Sequence, residues 1–159
     1  MAVSRNPYNS PMPTQATYDD ANLCLRLYEL RREDKLRQAR AWFAQNFAPT
    51  TIEEMMKLAP PESQENAFMR MVASYWDMAA AFVTSGVLNQ DLFFETNPEL
   101  LFVWERMRQL LPALRESFQN PKAFHNLEKV GNAFMKHMEA AGPEVLPAFQ
   151  ARVATMVKR

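Results

Sequence analysis

Between Glu62 and Ser85 the chain is apolar at almost every position that a helix turns toward a neighbour. Phe68, Met71, Val72, Tyr75, Ala79, Phe82 and Val83 repeat at the spacing of one helical face, and Met69, Ala73, Trp76 and Ala80 make its flank apolar too. Only a narrow polar stripe remains, through Arg70, Ser74, Asp77 and Thr84. A helix with so little polar surface has to be surrounded, which predicts a central place in a helical bundle. Gly86 supplies the permissive residue on which such a helix often ends.

The rest of the chain reads as further helices separated by short breaks, with no sustained alternation of the kind a strand requires. A first region, 18–47, has five successive charges, Arg31 to Lys35, which predict a bend or short break. Thr51-Ile52-Glu53-Glu54 has capping-box spacing and predicts a short helix to Leu58, ended by Pro60-Pro61. Thr96-Asn97-Pro98-Glu99 and Asn120-Pro121 each place a capping side chain before a first-turn proline. Between them, Pro112 predicts a kink or a break. A last helix is expected over 143–158. The fold class is therefore all-α, one domain over 17–159 built as a bundle of about six helices. Residues 1–16, with Pro7, Pro11 and Pro13, are expected to form a flexible arm.

Charge and composition narrow the function classes. Eighteen basic and eighteen acidic residues cancel to zero net charge, without the surplus that a nucleic-acid binder usually carries. Arg26, Arg31, Arg32, Lys35, Arg37 and Arg40 do cluster, but Glu29, Glu33 and Asp34 interleave them, and Glu33 to Arg37 is a favourable helical pair. A solvated face of mixed charge is expected there. The single cysteine, Cys24, stands between Leu23 and Leu25 and reads as a small buried hydrophobe. The first fifteen residues lack the apolar stretch of a secretory signal, and the run 68–88 is broken by Arg70 and Asp77, which predicts no membrane insertion. A cytoplasmic protein is expected.

Catalytic chemistry finds no foothold. No Glu-x-x-His motif is present, and His125 shares its helix face with Lys129, Asn132 and Lys136. The chain's three glycines are scattered rather than gathered into a phosphate loop. The carboxylate pairs Asp19-Asp20 and Glu53-Glu54 suit helix N-termini without any acid–base role. No catalytic residue, cofactor or metal ligand is assigned.

Two features stand out instead. Arg70 and Asp77 lie on the polar stripe, which either faces water or meets partners inside the bundle, since a buried charge needs a partner. In the segment 88–94, Leu88 and Leu92 share a helical face while Phe94 is turned roughly 200° from Leu92. Phe94 is therefore expected at a contact with another chain, the competing arrangement being a cover from a neighbouring loop such as the proline-containing arm. The function expected is a non-catalytic interaction or assembly module that self-associates or takes a protein partner. The alternative is a small-molecule-binding protein or enzyme with a pocket between helices.

Tyr75-Trp76, Gly86-Val87-Leu88-Asn89, Val103-Trp104, Pro112 with Arg115, Asn120-Pro121 and Leu127-Glu128 together resemble the pattern of a widespread bacterial family of small all-helical proteins of unknown function. The resemblance spans Leu23 to Val130, including the arginine-rich helix within 27–43. It implies an all-α fold in a bacterial cytosolic protein and carries over no catalytic residue. The arm and the last helix lie outside it.

Overall fold

The computed structural model describes residues 15–157. The expected arm thus lies outside the described residues, apart from Gln15 and Ala16. The described residues form nine helices and no strand: α1 Tyr18–Arg31, α2 Asp34–Asn46, α3 Ile52–Leu58, α4 Gln64–Thr84, α5 Gln90–Thr96, α6 Glu99–Met107, α7 Leu111–Ser117, α8 His125–Ala141 and α9 Val145–Thr155.

The expected count of about six is too low because two anticipated interruptions are complete breaks and the short segment before Asn97 is a helix of its own, α5. At the first, the Glu33 carboxylate turns back to accept the N–H groups of Lys35 and Leu36, both at 3.0 Å, and so starts α2 as a separate helix. This also corrects the anticipated Glu33–Arg37 pair, since Arg37 bonds Asp34 at 2.9 Å instead. At the second, Pro112 occupies the first turn of α7, where its missing N–H has no intrahelical partner to lose.

The start of α8 departs further from expectation. Asn120-Pro121 opens a turn rather than the helix, and Phe124, in the left-handed region at φ 54°, takes the N-cap position with no capping side chain. The cap comes from another element. Asp77 of α4 accepts the Leu127 N–H at 2.9 Å, and Thr84 of α4 donates to Asn126 Oδ1 at 2.6 Å. A carboxylate at a helix N-terminus satisfies an orphan donor and opposes the positive end of the helix dipole.

The α4 helix sits where its composition predicts, packed against α2 on one flank and α8 on another. Val72, Trp76, Ala79 and Ala80 are wholly inaccessible to solvent. The α6 and α9 helices pack against α8 and each other, while α1 rests on α2 and α5. Gly131 in α8 allows the closest approach: a Cβ there would stand 2.8 Å from Trp104 Cδ2 and nearer still to Cγ. Arg106 of α6 is buried and donates to the carbonyls of Phe47 and Val153, which terminate α2 and lie in the last turn of α9. Burial lowers its pKa from the usual arginine value. Among the described residues, no helix is long and apolar enough to cross a membrane.

Candidate functional site

Two of the four buried polar or charged side chains among the described residues, Arg31 and Asn97, meet where the end of α1 reaches the corner between α5 and α6. Arg31 lies one helical turn after Leu27, so the turn that buries Leu27 carries the guanidinium inward as well, leaving it only 9% exposed. Its Nη1 donates to Asn97 Oδ1 at 2.7 Å and to the Tyr75 hydroxyl at 3.4 Å, and its Cζ stands 5.2 Å from the centre of the Trp76 ring. The Tyr75 hydroxyl in turn donates to the Leu27 carbonyl at 2.6 Å, and burial pushes its pKa above the ordinary tyrosine value.

Arg40 of α2 completes the cluster. It grips Glu99 with two parallel hydrogen bonds, Nε to Oε1 at 2.8 Å and Nη2 to Oε2 at 2.5 Å, and spends Nη1 on the Arg31 carbonyl at 3.0 Å. This planar pairing holds the guanidinium charged, above its usual pKa. Asn97 is buried and donates to Thr96 Oγ1 at 2.8 Å, which orients its carbonyl oxygen toward Arg31. Above these groups opens a cleft of about 290 Å³, lined by Tyr28, Arg31, Arg32, Arg40, Asn97 and Glu99 among others. The hydrogen-bonding groups that line it largely hold one another.

The residues singled out from sequence distribute differently. Phe94 is 5% exposed and its ring lies 4.3 Å from that of Phe134 and 5.2 Å from His137. Within the chain α8 takes up the ring, so Phe94 is buried there and not on the open surface; the arm that was its alternative cover lies outside the described residues. The α5 helix is covered on more than one side, with Phe93 and Phe94 both buried. The polar stripe divides, Arg70 facing water while Asp77 is half-buried and caps α8. Cys24 is half-buried rather than buried, and its sulfur accepts from Thr96 Oγ1 at 3.4 Å. The basic cluster divides as well. Arg26 and Arg37 form exposed pairs on the surface, while Arg31 and Arg40 turn inward. His125 and His137 are exposed, and among the described residues no three His, Cys, Asp or Glu side chains gather as a metal site requires.

Arg31, Arg40, Asn97 and Glu99 were not recognised as one site. The available signal was the i, i+4 relation of Leu27 and Arg31, which places a charge on the one strongly buried face of α1. Asn97 stands where a capping side chain is expected, but its side chain turns inward to Arg31.

Residues 16–134 match the family described as a domain of unknown function, DUF4760. The chain belongs to that family. The DUF4760 match runs from the residue before the α1 capping box into α8, so it contains every residue of the cleft and leaves α9 outside. No curated protein and no solved structure matches the chain.

Proposed function

We propose that this DUF4760 chain is a non-catalytic assembly module that pairs with a second copy of itself through the outer face of α1. One observation carries the reading. Of the large apolar side chains on α1, only Leu27 is buried, whereas Tyr18 is 81%, Leu25 60% and Tyr28 50% exposed. These three share one helical face with Ala21 and Arg32. A helix that turns more apolar surface outward than inward is built for a neighbour.

The spacing supports a two-fold arrangement. Tyr18 and Arg32 stand two turns to either side of Leu25, so antiparallel pairing about Leu25 sets the ring of Tyr18 against the guanidinium of Arg32 on the other copy, at both ends. A helix of 14 residues is about 21 Å long. One such face gives an interface at the low end of the stable range, near 1,200 Å² in total, so the pairing is weak and concentration-dependent.

Light scattering across a dilution series tests this. The natural chain gains mass toward a dimer as concentration rises, and Leu25→Asp stays monomeric with an unchanged melting temperature, because an exposed position contributes little to stability. Monomer mass throughout, or an oligomer indifferent to Leu25→Asp, contradicts the proposal.

A further inference from the structure

We infer that the cleft at the end of α1 is a binding site for a carboxylate carried on an apolar body. Three arginines line it, Arg31, Arg32 and Arg40, against one carboxylate, Glu99, and that carboxylate is fully engaged by Arg40. Arg31 is left as a buried cation whose partners are all neutral: an amide oxygen, a phenol and two aromatic faces. A buried charge held only by neutral groups is under-compensated. Among the described residues its hydrogen bonds all leave from Nη1, so the Nε edge of the planar fork remains to be used. Arg32 stands at the mouth, exposed, with Nη1 on the Tyr28 hydroxyl at 3.1 Å, and both guanidinium groups lie within 6 Å of the Tyr28 ring centre, at 5.8 and 5.5 Å.

The buried charge left without a counterion is a single one, that of Arg31, since Arg40 is paired with Glu99 and Arg32 is exposed and screened by water. The helix ends do not change this count: α1 and α5 end at the cleft while α6 begins there, so their partial charges oppose one another. A dianion such as phosphate carries more charge than Arg31 leaves and would stand against Glu99, whereas a carboxylate matches the charge and the fork geometry. The apolar body follows from continuity. Arg40, Pro98 and Glu99 line this cleft and also an adjoining groove of about 550 Å³ that runs on to Phe102 and Met156. A head group at Arg31 places a chain or ring over Pro98 and along that groove.

Isotope-edited NMR of the full chain, titrated separately with acetate, octanoate, 1-octanol and inorganic phosphate, tests the assignment. Octanoate moves the Arg31 Nε–H and the Asn97 side-chain amide saturably, and binds at least about tenfold tighter than acetate because part of its chain leaves water. Octanol and phosphate leave those signals in place. Arg31→Gln weakens octanoate about tenfold or more. Because Arg31 also holds Asn97, the exposed Arg32→Gln is measured beside it, and it retains the fold while weakening binding. A short peptide ending in leucine, compared with its amide, separates a partner's chain terminus from a free acid as the source of the carboxylate. Octanol binding as tightly as octanoate, shifts confined to other regions, or affinity unchanged in Arg32→Gln would overturn the inference. Repeating the titration in Leu25→Asp separates it from the assembly reading, since that variant loses pairing and keeps octanoate binding.

Discussion

Gly131 is the position where the least room is left, and its replacement is the sharpest test of the packing between α6 and α8. Gly131→Ala gains helix propensity but drives a methyl into the buried indole of Trp104, so urea titration shows a net loss of about 1–3 kcal/mol. Asp77 is the second decisive residue. Asp77→Ala removes the cap that α8 lacks from its own sequence, at a cost of about 1–2 kcal/mol in the same measurement, whereas Arg70→Ala, on the exposed part of the same stripe, changes little. Arg106→Met keeps the apolar stem and strands the carbonyls of Phe47 and Val153, which lowers stability by about 2–3 kcal/mol. At this scale the sequence was legible where a residue acts on its own helix. Gly131 shares a helical face with Phe124, Leu127, Phe134 and Met138, the local sign of close helix packing. Asp77 as the cap of a distant helix and Arg106 as a clasp on two others depend on which elements become neighbours, and a charged residue among Glu105 and Arg108 reads as solvated.

Single helices were readable from periodicity and caps, and their ends are where tertiary context intervened. Thr17 and Asp20 form a reciprocal cap on α1, with the Thr17 N–H on Asp20 Oδ2 at 2.7 Å, and Asp20 Oδ1 accepts the Asn89 N–H at 2.8 Å, tying α1 to the start of α5. The negative pair Asp19-Asp20 announced the helix start; the tie to α5 had no local signal. These backbone N–H groups hold the Asp20 carboxyl below its ordinary pKa of 3.8, the Thr17 bond contributing most. The ionised form is thus favoured by folding. Its contribution is complete above pH 3.8 and is lost as pH falls through the lower folded value. Asp20→Ala therefore unfolds earlier in urea than the natural chain at neutral pH, and the gap between the two midpoints narrows below pH 3.8. Glu33 and Glu54, also lowered by backbone N–H donors, add to the same acid sensitivity.

For the whole molecule, the all-helical class and the central place of α4 were both legible, because a helix apolar around most of its circumference admits few other positions. The surface proposed for pairing was not. The exposed stripe of α1 and the buried arginine at its end lie on the same helix, and the alternation of Leu27 and Arg31 inward with Leu25 and Tyr28 outward was masked by the charged run that follows. Disulfide trapping tests the paired module most directly, with Leu25→Cys or Tyr18→Cys introduced into a Cys24→Ser chain and exposed to mild oxidation. Antiparallel pairing about Leu25 brings the two copies of that position together and holds the two copies of position 18 about 20 Å apart along the helices. The account predicts a rapid covalent dimer from Leu25→Cys and little from Tyr18→Cys; a Leu25→Cys chain that remains monomeric, or equal trapping at both positions, would contradict it.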